Sequence, residues 1–176
     1  MIVATQSRQK EIIAALRLQP HPEGGLFAEL YRDPNWVQHP TKAAMRPAMT
    51  LIYFLLPATT FSALHRVAQP EAWHHLEGDP LDLHLLGDDG AHEVVRLGKD
   101  LAKGERPQRV VPPNVWQAAV PVTPAAATFT LVGCTVAPGF DFADFEMPTR
   151  DALLARFPHH HELIVHLTHD GDPSSS

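Results

Sequence analysis

The chain carries a single cysteine, Cys134, in 176 residues. That excludes an internal disulfide and fits a reducing compartment. There is no run of lysine or arginine, and 14 basic against 20 acidic residues leave a net charge of −6. This balance argues against nucleic acid or an anionic membrane as the main partner. No segment approaches the ~20 consecutive apolar residues of a membrane-spanning helix, the nearest being the short run 51–56. The opening MIVATQSRQKEIIAAL lacks a charged region followed by an apolar one, so a cytoplasmic location is expected. Also missing are a glycine-rich phosphate loop, a GxSxG elbow and a dinucleotide fingerprint, which removes those enzyme classes.

What is present is a globular composition, 44% hydrophobic and only 19% charged, with 17 prolines, about twice the usual ~5%. So many turn signals favour short strands over long helices. Residues 6–18 read as a helix that Pro20 ends, with Ile12, Ile13 and Leu16 at helical spacing. A turn at Pro22-Glu23-Gly24-Gly25 leads into a strand over 26–32, where alternate residues face opposite sides. Residues 33–47 read as a polar, proline-bearing loop. Strand-like runs then follow over 48–56, 61–67, 71–77, 81–86, 92–97, 109–111, 115–120 and 126–132, separated by proline and glycine turns. About eight short strands without helices between them predict an antiparallel sandwich or barrel rather than a parallel α/β fold. Two short helices are expected over 150–157 and 161–167, and a loose tail over 170–176. A single domain spanning 1–176, its barrel within about 26–146, is the simplest organisation.

The segment FSALHRVAQPEAWHHLEG, residues 61–78, carries the chemistry. Strand alternation places His65 and Val67 on one face, and Glu71, Trp73 and His75 on one face of the next strand. A carboxylate, an indole and an imidazole make a poor apolar core and a good pocket lining. Downstream, Gln117 follows the Pro112-Pro113-Asn114 turn and can both donate and accept hydrogen bonds. His65, Glu71, Trp73, His75 and Gln117 are therefore expected to share one interior pocket, joined by Glu29 and Tyr31 from the same chain or a partner subunit. A divalent transition metal, if held here, would have His65, Glu71 and Gln117 as its ligands. The histidines of PHHHELIVH do not make a zincin site, because His161 and His166 lie roughly 140° apart around a helix. Cys134, at the end of an apolar strand with no histidine nearby in sequence, reads as a buried structural thiol.

These blocks together resemble a known family. His65, Glu71 and Gly78 follow the spacing of the first cupin motif, with Val67 where a second histidine would stand. The segments LQPHPEGGLFAELYR, IYFLLPATTFSALHR, EAWHHLEGDPLDLHLL, LGKDLAKGERPQRVVPPNVWQAA and LVGCTVAPGFDFADFE are similar, in that order, to the fifth cupin family, domain of unknown function 985. The resemblance implies an all-β, RmlC-like antiparallel jelly-roll barrel, usually a homodimer. His65 is similar in position to the base of the RmlC epimerases, which pair a histidine with a carboxylate and a tyrosine acid. No tyrosine stands in the matching segment, Val115-Trp116-Gln117, and only Arg66 and Arg109 lie near enough to hold a nucleotide. The expected role is small-molecule binding to a sugar-like or carbonyl metabolite, with isomerase or epimerase chemistry using His65 and Glu71. A non-catalytic binding module and a metal-dependent cupin enzyme are the alternatives.

Overall fold

The expected strands form in a computed structural model that describes residues 2–123 and 128–169, without side chains for residues 2–6. Helix α1 (Ile2–Leu16) stops at Arg17, whose φ of 54° is left-handed. The strands are β1 (Gln19–Pro20), β2 (Leu26–Arg32), β3 (Trp36–Gln38), β4 (Met45–Pro47), β5 (Thr50–Pro57), β6 (Ser62–Val67), β7 (Glu71–Gly78), β8 (Leu81–Leu86), β9 (His92–Leu97), β10 (Gln108–Val111), β11 (Trp116–Pro121), β12 (Phe129–Val136) and β13 (Phe145–Glu146). Helices α2 (Arg150–Arg156) and α3 (His161–His166) follow, joined by a 3₁₀ turn over Pro158–His160. No described helix is long and apolar enough to cross a membrane.

Two antiparallel sheets carry the fold, ordered β1-β2-β5-β12-β7-β10 and β13-β6-β11-β8-β9. The nested pairs β5–β12, β6–β11, β7–β10 and β8–β9 are jelly-roll order. Their ladders remain two separate sheets, so the barrel is open. Alternation explains what fills it. Phe54 and Leu56 of β5, Trp73 of β7 and Val132 of β12 meet Leu81, Leu83 and Leu85 of β8 and Ala119 of β11 in one core. Their in-between neighbours point outward and are covered in turn. Leu55, Phe129 and Leu131 pack under Ile12 and Leu18, while Leu64, Leu86, Trp116 and Ala118 pack under Leu153, Phe157 and Ile164. The C-terminal helices are thus an outer layer, tied to the β8–β9 turn where His160 Nε2–H donates to the Gly90 carbonyl at 2.9 Å.

Two expectations change. Residues 33–47 are not a plain loop but hold the β3–β4 hairpin, anchored by Lys42 and Arg46 on Asp144, about a hundred residues away. Local pattern contains nothing of that anchor. The strand expected over 126–132 lies at Phe129–Val136, and residues 124–127, like the tail at 170–176, fall outside the described residues.

Candidate functional site

Beyond the packed core, at the end where β5 begins and β12 finishes, the sheets part around a cavity of about 230 Å³. Its deepest side chains are titratable. His65 is 2% exposed, Glu23 6% and Glu71 8%, whereas Phe142 at the mouth is 57% exposed. His65 comes from one sheet and Glu71 from the other, so the floor straddles the sandwich. Gln117 stands directly opposite His65 across the β6–β11 ladder. Glu23 arrives from neither sheet. The turn after β1 delivers it, and both of its glycines have positive φ (Gly24 111°, Gly25 67°). A Cβ on Gly24 would collide with the Phe61 carbonyl, so the close approach requires glycine. The Glu23 carbonyl then accepts from Ala63 N–H at 2.8 Å, and its side chain turns inward.

Hydrogen bonds fix the proton positions on this floor. His65 Nδ1 lies 2.7 Å from the Ala63 carbonyl, which can only accept. The neutral ring therefore carries its proton on Nδ1 and presents a lone pair at Nε2. That lone pair meets Gln117 Nε2 at 3.1 Å and Glu23 Oε2 at 3.2 Å. His21 Nδ1 accepts from Glu23 N–H at 3.4 Å and lies 3.5 Å from the same Glu23 Oε2. An ionised Glu23 would place negative oxygen against two nitrogen lone pairs, so a proton is held in this triangle. The electrostatics agree. Burial pushes the Glu23 and Glu71 carboxyls up and the His21 and His65 imidazoles down. Burial also pushes up the Cys134 thiol, which is hydrogen-bonded to Glu71 and is an unreactive wall of the cavity.

Of the residues expected in the pocket, His65, Glu71 and Glu29 line the cavity. Gln117 and Trp73 lie behind its floor, each 1% exposed. Trp73 Nε1–H donates to Gln117 Oε1 at 3.0 Å, and Gln117 Nε2 donates to Glu71 Oε2 at 2.6 Å. His75 does not reach the cavity. It shares the inward face, but four residues along β7 is ~13 Å from Glu71. There its Nε2–H donates to the Asp79 carbonyl at 3.0 Å. Tyr31 is also outside, 41% exposed, because the β2–β5 register shifts between Glu29 and Tyr31. Sequence reading missed His21, Glu23, Arg32 and the phenylalanines of residues 140–145. A histidine and a glutamate two apart beside Gly-Gly was the available signal for the first two.

A metal does not fit the residues present. The Trp73 bond turns the Gln117 oxygen away, so an N–H group faces both His65 Nε2 and Glu71. Both potential ligands already accept from a donor, and Val67 supplies no second imidazole. Among the described residues no group of three His, Cys, Asp or Glu is arranged to hold a metal ion.

The chain is similar to known proteins over most of its length. Residues 10–148 match the family model described as Cupin superfamily (DUF985). An uncharacterised protein of Saccharomyces cerevisiae is 32% identical over 150 residues, 78% of this chain and 74% of that protein. Among solved structures, a hypothetical protein from Leishmania major superposes with a TM-score of 0.85 at 32% identity, covering 92% of this chain and 98% of its own. A protein from Shewanella oneidensis gives 0.83 at 34% identity, with the same coverage. An oxalate decarboxylase of Bacillus subtilis shares the fold alone, at 12% identity and a TM-score of 0.54, over 88% of this chain and 38% of its own. The jelly-roll topology and the match over residues 10–148 together place the chain in the cupin superfamily, in the DUF985 family.

Proposed function

We propose that the cavity binds a small carbonyl metabolite and moves a proton on it, an isomerase- or epimerase-type reaction with His65 as base. The observation that carries this reading is the His65 Nε2 lone pair, 3.2 Å from Glu23, a carboxyl that burial pushes toward its protonated form. The base and the carboxyl proposed as acid sit side by side on a floor where His65 is 2% and Glu23 6% exposed. His65 takes a proton from the carbon beside the carbonyl. The C–H electron pair becomes the enol double bond, and the carbonyl oxygen receives the Glu23 proton. The protonated His65 returns a proton to carbon while the enol O–H gives its proton back to Glu23, which restores the carbonyl and both side chains. Gln117 and Glu71 position the imidazole. At about 230 Å³ the cavity is below the ~300–1,000 Å³ of drug-sized sites, which favours a metabolite over a nucleotide sugar.

One observation favours a non-catalytic binding module instead: the Gln117 amide already donates toward the His65 lone pair at 3.1 Å. Solvent-deuterium incorporation into small α-hydroxyketones, followed by proton NMR, separates the two. Wild type is expected to exchange the carbon-bound hydrogen, and His65→Ala to lose roughly 10²–10⁴-fold of that rate while keeping its circular dichroism. Equal rates in both proteins, or no exchange in wild type, overturn the catalytic reading.

A further inference from the structure

The polar groups of the cavity fall into two sets, one at the mouth and one at the floor, with apolar walls between them. At the mouth they are engaged with one another. Arg32 donates twice to Glu29, at 3.0 and 2.7 Å, and once to the Phe140 carbonyl at 3.2 Å. Thr50 Oγ1 accepts from Phe140 N–H at 2.9 Å, and Asp141 Oδ1 accepts from Ala143 N–H at 2.8 Å. These bonds hold the 140–145 segment in place. Between mouth and floor the walls are Phe27, Ile52, Phe54, Val136, Phe140 and Phe145. The other polar side chains of the lining, His21, Glu23, His65 and Glu71, gather at the floor.

We infer that the ligand is uncharged and polar at one end only: a hydroxy-carbonyl head on the floor and an apolar or aromatic tail between the phenylalanines. This rests on the cavity being the ligand site, and it narrows the sugar-like ligand expected from the sequence. A polyhydroxylated chain would set its middle hydroxyls against Phe27, Phe54 and Phe145, which costs affinity for each one left unpaired. Among the described residues Arg32 is the one arginine or lysine on the cavity wall, and it is bound two-handed by Glu29, which leaves an anion a poor partner there. Two buried carboxyls at the floor disfavour negative charge further. An aromatic tail also gains edge-to-face contact with the Phe140–Phe142–Phe145 group, whose rings are 5.0–6.0 Å apart.

Binding, measured without chemistry, tests this. Titration calorimetry and ligand-observed NMR compare 2-hydroxyacetophenone, D-erythrulose and phenylpyruvate on the full chain. The first is expected to bind at least roughly tenfold more tightly than either of the others. Phe142→Ala and Phe145→Leu are each expected to weaken it, by several-fold, while leaving erythrulose unchanged. Phe142 is exposed, so its variant is expected to fold. Equal or tighter binding of erythrulose or phenylpyruvate overturns the inference, as does 2-hydroxyacetophenone binding that is absent or indifferent to both phenylalanine changes. Loss of deuterium exchange with this binding preference intact would refute the catalytic reading alone.

Discussion

Glu23 shows what one buried carboxyl does to a site. It touches His65, His21 and Ser62, whose hydroxyl donates to Glu23 Oε1 at 2.9 Å. An amide in its place would donate as the protonated acid does but could not transfer a proton. Glu23→Gln is therefore expected to retain the fold and lose deuterium exchange, checked by circular dichroism and NMR on the same sample. The pH dependence has a definite sign. A carboxyl raised by burial stabilises the fold below its ordinary range and loses that contribution as pH rises through its raised value. Urea titrations from about pH 5 to about pH 8 should show wild type losing stability relative to Glu23→Gln, by at most ~1.4 kcal/mol per pH unit. His21 and His65 act at the other side. Burial lowers both, so their contribution is present above the ordinary imidazole range and is lost as pH falls through the lowered values. Trp73 makes a second residue-level case. Trp73→Phe leaves Gln117 Oε1 buried without a donor, which costs about 1–3 kcal/mol and frees the amide to turn over. A drop in urea midpoint of that size, with a changed pH profile of exchange, is the expected result.

Between elements, Asp144 is the clasp that holds the aromatic wall. It accepts from Lys42 at 2.6 Å, from Arg46 at 2.7 and 3.1 Å and from Gln69 at 2.5 Å, joining the β3–β4 hairpin to the segment that carries Phe140, Phe142 and Phe145. Burial alone would raise its carboxyl, but these three partners outweigh burial and hold it below the usual carboxylate range. The clasp is therefore intact above the ordinary aspartate range and is lost as pH falls through that depressed value. Asp144→Asn strands a buried guanidinium, which is expected to cost about 3–5 kcal/mol. Hydrogen exchange should rise in β3, β4 and residues 140–145 before it rises in β7 or β12, and uniform protection would count against the clasp. The same elements mark what the sequence could show. Strand-like runs between turn signals placed β2, β8 and β9 to the residue, and in β8 burial alternates along the strand as one-sided packing dictates. The β3–β4 hairpin was illegible because a long-range ion pair holds it rather than its own apolar pattern.

Across the whole molecule, the site is assembled from parts that local pattern cannot connect. His65, Glu71 and Gln117 could be read together because strand facing and the family resemblance put them there. Glu23 could not, since its segment reads as turn chemistry and lies 42 residues before His65. The aromatic wall comes from beyond β12, where no period operates. The same arm that delivers Glu23 leaves the molecule with an uncovered side. No described strand pairs with residues 28–32 on the side of β2 away from β5, because β1 reaches only Leu26 and Phe27. Leu30 (51% exposed), Tyr31, Trp36 (57%), Val37 and Met45 are exposed along this strand and the hairpin that follows it. An unpaired strand edge with exposed large apolar side chains invites a further strand. We propose that a second copy of the chain supplies it, in the homodimer that the family resemblance implies, because one two-fold axis would cover both copies' edges at once. Light scattering is expected to report a dimer at micromolar concentration, and a Leu30→Lys, Trp36→Ala variant a folded monomer. A wild-type monomer under those conditions sinks the proposal, and so does a dimer that ignores both changes.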